Sequence, residues 1–108
     1  MKIITGKEFQ AEVLTSTLPV LVDFFTEYCA PCKYLTPILE ELATENATAI
    51  KIVKVNVTEN VKLAATYRIM SVLALILFSD GKVMSQILGA RKKQELQKWI
   101  VESLAPRH

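Results

Sequence analysis

The chain has 108 residues, 51% of them apolar and 22% charged, which fits one compact domain over residues 1–108 and excludes a disordered or low-complexity chain. Thirteen basic against eleven acidic residues leave a formal net charge of +2, too small to point to nucleic acid or an anionic membrane as a partner. No run reaches the roughly 18 consecutive apolar residues of a membrane span, and the N-terminus turns polar after Ile3-Ile4, too early for a signal-peptide core.

The predicted elements alternate, starting from a short N-terminal strand. Thr5-Gly6-Lys7-Glu8 has capping-box spacing ahead of Phe9, Val13 and Leu14 at helical intervals. After Pro19, the run Val20 to Phe25 reads as a strand covered on both faces. Leu35, Ile38, Leu39 and Leu42 mark an amphipathic helix from Cys32 onward, with Pro37 expected to kink it. Ile50 to Val57 reads as the next strand, Thr58 to Tyr67 as a short helix, and Val72 to Phe78 as a strand buried on both faces. Asp80-Gly81 is a hairpin signal that returns the chain as Val83 to Leu88. A last helix carries Leu96, Trp99, Ile100 and Leu104 on one face, and Trp99 is expected in the core. Arg91-Lys92-Lys93 puts cations at its N-terminus, where the helix dipole disfavours them, so a frayed, solvated start is expected. The order β-α-β-α-β-α-β-β-α calls for an α/β fold, a mixed sheet with helices on both faces.

Cys29 and Cys32 are the only cysteines. A bridge across so short a loop removes little chain entropy and is a poor staple. In the cytoplasm, where this chain is expected, such a pair points to chemistry or metal binding instead. Cys29-Ala30-Pro31-Cys32 falls where a strand gives way to a helix, whose N-terminal N–H groups and dipole stabilise a thiolate. Pro31 suits the first helical turn. The spacing predicts an exposed Cys29 that attacks a disulfide and a partly covered Cys32 that resolves the intermediate. A structural zinc site needs about four ligands, and the chain adds only His108 to the two cysteines. A metal shared between two chains and a pair of inert buried cysteines are the competing readings.

Asp23 interrupts an apolar strand six positions before Cys29. Burial would raise its pKa and let it accept the proton of Cys32. Lys54, between Val53 and Val55, is placed to modulate that proton; the alternative for Asp23 is a strand-end cap of a backbone group.

The segment Val20 to Lys33 closely resembles the active-site segment of the thioredoxin family. The likeness continues through Pro37, Lys54 to Val57, Tyr67, Leu75 to Phe78, Asp80-Gly81 and Gly89. The resemblance implies a five-stranded sheet with four helices packed on both faces and a general protein-disulfide reductase. It also implies recharging by a thioredoxin reductase that uses NADPH; no cofactor beyond the Cys29–Cys32 disulfide and no metal are expected, and a monomer is the default. Tyr28, Ala30, Pro31, Val72, Leu73 and Gly89 would shape the substrate groove.

Departures from the family pattern are also legible. Tyr28 replaces a tryptophan, still offering an aromatic shield, and Ala30 replaces a glycine. Arg68 and Ser71 stand where glycines are common. Leu73 stands where the family carries a cis-proline. A cis bond before a non-proline residue costs about 2.5–4 kcal/mol, so the Val72–Leu73 bond is expected trans and the neighbouring loop rearranged. Retained activity with altered substrate choice, weakened turnover, and a binding subunit that docks through the cysteine face all stay open, as does a Leu73 that only fills the core.

Overall fold

The computed structural model describes residues 1–69, 73–89 and 91–105. Its sheet has five strands, β1 (Lys2–Ile3), β2 (Val20–Phe25), β3 (Lys51–Asn56), β4 (Ala74–Ser79) and β5 (Lys82–Leu88), in the order β1-β3-β2-β4-β5. β3 lies parallel to both β1 and β2, while β4 runs antiparallel to β2 and β5. The predicted mixed α/β sheet is therefore present, with β2 at its centre.

Period-2 alternation sorts the strand residues onto two faces. Val20, Val22, Phe24, Val53, Val55, Ile76 and Phe78 pack with Ile4, Phe9 and Val13 on one face. Phe9, Tyr67 and Phe78 meet there with ring centroids 5.3–5.6 Å apart. Leu21, Ile52, Leu75 and Leu77 form the other face. Helix α1 (Ala30–Glu45) covers it with Leu35, Leu39 and Leu42, and helix α3 (Lys93–Leu104) with Leu96 and Ile100. β2 is thus apolar along most of its length because both of its faces are buried.

Several elements differ from the sequence expectation. The first helix shrinks to a helical turn, Gln10–Leu14, closed by the Thr15 N–H on the Gln10 carbonyl at 3.0 Å. The Thr15 hydroxyl donates to the same turn's Gln10 and Ala11 carbonyls, and Pro19 follows, so the turn has nowhere to propagate. Half of the capping box is made: Glu8 accepts the Thr5 N–H at 3.1 Å. The helix expected over 58–67 is α2 (Val61–Thr66). Its start is delayed because the Asn56 side chain accepts the Thr58 and Glu59 N–H groups and holds them in a turn. α1 runs through Pro37 to Glu45.

The N-terminus of α3 is tethered rather than frayed. Lys93 donates to Glu41 at 3.0 Å and Glu45 at 2.6 Å on α1, so acids of a neighbouring helix balance the cation that its own dipole disfavours. Trp99 is half-buried against the α1-side core, its indole N–H donating to Ser85 at 2.8 Å. At the hairpin, Asp80 and Gly81 both have positive φ, 53° and 76°, the pattern of a two-residue turn whose twist matches the strands.

Candidate active site

β2 ends at Phe25, and Cys29 caps the start of α1. Cys29 has extended backbone (φ −98°, ψ 103°), and its Sγ accepts the Cys32 N–H at 3.2 Å. This takes up one of the N–H groups that a helix start leaves unpaired. Ala30 and Pro31 form the exposed first turn, where a missing proline N–H costs nothing. Cys29 and Cys32 are joined in a disulfide with Cα atoms 5.3 Å apart.

Both cysteines are only 5% exposed. The expectation of an exposed Cys29 is therefore corrected. Its bridge to Cys32 and its bond to the Cys32 N–H draw the sulfur in over the helix start instead of leaving it in solvent. Tyr28, which precedes the pair, is 89% exposed.

Asp23 lies mid-strand, wholly buried, and neither carboxylate oxygen has a hydrogen-bond partner among the described residues. It caps no backbone group. Burial pushes its pKa up to about 6, against a smaller lowering by the charge of Lys54. Asp23 is the register partner of Lys54 on β3 and Leu75 on β4, and alternation puts it on the α1 face. The Lys54 ammonium donates to the Thr36 hydroxyl at 3.1 Å and sits 4.4 Å from the Phe25 ring centroid. Thr36, one turn beyond Cys32, in turn donates to the Cys32 carbonyl at 3.1 Å.

The Leu73 carbonyl accepts the Gly89 N–H at 2.7 Å. Leu73 packs against the α1-side core with a positive φ of 71°, strained for a branched residue. A Cβ on Gly89 would stand 2.8 Å from Leu35 Cδ2 and 3.1 Å from the Leu73 carbonyl, so a larger residue there would force the buried Leu35 side chain to shift. Pro31 and Gly89 share an open depression with Tyr34, Ile38 and Arg91. The expectations for Val72, for Ser71 and for the Val72–Leu73 bond lie outside the described residues. Among the described residues no three His, Cys, Asp or Glu side chains gather as a metal site would require. Thr36 carried no signal in the sequence, because its contact with Lys54 depends on strand register and helix placement together.

Comparison with known proteins agrees with this geometry. The thioredoxin family model matches residues 1–102. Thioredoxin C-2 of Corynebacterium nephridii is 45% identical over 100 residues, 93% of each chain. The thioredoxin of Rickettsia bellii is 41% identical over 97 residues, covering 90% of this chain and 92% of its own. That of Mycobacterium bovis is 43% identical over 93 residues, 86% of this chain and 80% of its own. With a bridged cysteine pair capping α1 and relatives matched along nearly their whole length, the chain belongs to the thioredoxin family and is a thiol–disulfide oxidoreductase whose redox-active disulfide is Cys29–Cys32.

Proposed function

We propose that the chain reduces protein disulfides through a mixed disulfide on Cys29, with Cys32 resolving it and Asp23 taking the proton. The observation that carries this reading is the Cys29 sulfur at the start of α1, accepting the Cys32 N–H. In the reduced protein the same N–H and the positive end of the helix favour a Cys29 thiolate. That thiolate attacks one sulfur of a substrate disulfide; the other sulfur leaves as a thiolate and is protonated. Cys32 then gives its proton to the Asp23 carboxylate and attacks the Cys29 sulfur. The intramolecular bridge forms, the second substrate sulfur leaves, and two electrons have passed to the substrate. A buried carboxyl titrating near neutrality suits that proton transfer, and Lys54 sets how readily it occurs.

Substrate contacts fall to Tyr28, Ala30, Pro31, Val72, Leu73 and Gly89. Protein disulfides and a thioredoxin reductase are the partners that membership of the family implies. The chain works as a single cytoplasmic domain over 1–108, as a monomer and with the disulfide as its only redox group. The single five-stranded sheet supports the one-domain reading.

The test is turnover of a model protein disulfide with dithiothreitol as donor. The chain is expected to accelerate the reaction and Cys29→Ser to return it to the rate of the donor alone. A parent no faster than the donor would contradict the reading.

A further inference from the structure

Lys54 and Asp23 face each other across neighbouring parallel strands, which run roughly 5 Å apart. A lysine stem is long enough to bring its ammonium onto that carboxylate. It does not do so here. The Asp23 oxygens are unpartnered, and the ammonium instead donates to Thr36 and lies over the Phe25 ring. The Thr36 hydroxyl has one proton, which goes to the Cys32 carbonyl, and its lone pair receives Lys54. Lys54 is thereby tied to the turn of α1 that carries the resolving cysteine.

We infer that Thr36 is a positioning residue of this site: its hydroxyl tethers the Lys54 ammonium to the Cys32 turn and keeps it off the Asp23 carboxyl. The functional consequence rests on Asp23 being the proton acceptor; the tether itself does not. An ammonium in contact with Asp23 would hold the carboxylate ionised and weaken it as a base. Held back on Thr36, the same cation leaves burial in control of the carboxyl. In register with Asp23, β3 presents Lys54 and β4 presents Leu75; alternation turns the carboxyl to the α1 face, and Lys54, the charged group in register with it, is bound to Thr36 of that helix. In the oxidised protein the bridged cysteines do not titrate, so no cysteine titration overlaps that of the carboxyl, and a Lys54→Met background separates the ammonium from the effect of burial.

The experiment is an NMR titration of the Asp23 carboxyl carbon in the oxidised chain, with Thr36→Val, Thr36→Ala and Thr36→Ser. Val and Ala are expected to lower the midpoint by about one pH unit as Lys54 swings over, and Ser to keep the parent value. In a Lys54→Met background, Thr36→Val is expected to shift nothing. An unmoved or raised midpoint in Val and Ala, an equal shift in Ser, or a shift that persists without Lys54 would each overturn the tether. Its failure is separable from that of the proton-acceptor role. An unchanged reduction rate in Asp23→Asn, across pH 5 to 8, would remove that role and leave the titration result standing.

Discussion

Asp23 is a carboxyl group set between β3 and β4 on the α1 face, with no donor among the described residues to satisfy it once ionised. Its folded-state pKa of about 6 lies above the ordinary value of 3.8. Between those values the folded chain holds a proton that the unfolded chain has lost. The contribution of Asp23 to stability is therefore greatest below about pH 4 and declines as pH rises through this window, by roughly 3 kcal/mol in all. Asp23→Asn removes the titration. Urea unfolding of the oxidised forms is expected to show near-equal stability at pH 4 and a variant more stable than the parent at pH 7. Parallel curves would show that the carboxyl is not desolvated as described. The same burial that destabilises the ionised fold tunes the group for proton transfer, which is a common reason for a charged residue to persist in a core.

At the scale of elements, how α1 and α2 begin and end governs the site and its surroundings. α2 finishes in a complete Schellman motif: Ile69 N–H reaches the Ala64 carbonyl at 2.9 Å, and Arg68 N–H the Ala65 carbonyl at 3.1 Å. The motif places Arg68 in the left-handed region, φ 53°, which glycine tolerates best. Arg68 is exposed, so its side chain contributes little packing to offset that strain. Arg68→Gly is expected to stabilise the chain by about 1 kcal/mol, the left-handed cost less the added freedom of the unfolded chain. The urea midpoint followed by Trp99 fluorescence checks this, and a lowered midpoint would contradict it. The β4–β5 turn has solved the same problem with Gly81, where a Cβ would stand 2.8 Å from the Leu14 carbonyl.

Over the whole molecule, Glu12 joins the helical turn to two strands by accepting Lys2 of β1 and Lys51 of β3, a pairing that lowers its pKa to about 2. Much of the architecture was legible in the chain. The run Val20 to Phe25, apolar but for Asp23, announced a strand covered on both faces, and Asp80-Gly81 announced the hairpin that makes the sheet mixed. Leu35, Leu39 and Leu42 marked the covered face of α1 by spacing alone. What escaped reading depended on contacts between distant segments. Asn56 shortens α2 through its side chain, Glu41 and Glu45 receive Lys93 from across the helix pair, and Thr36 meets Lys54 only after β3 and α1 are in place. Cys29 and Asp23 stood out in the sequence as residue types out of pattern. The inward turn of the Cys29 sulfur did not, because it follows from the bridge and the helix cap.

The most direct test of the account is to trap its intermediate. Cys32→Ser leaves Cys29 able to attack but nothing to resolve the product. Incubated with an oxidised protein substrate, it is expected to accumulate a covalent adduct whose mass is the sum of the two chains, linked through Cys29 and released by dithiothreitol. Cys29→Ser treated in the same way is expected to give none. Absence of the adduct, or equal trapping by both variants, would contradict an exchange that begins at Cys29 and ends at Cys32.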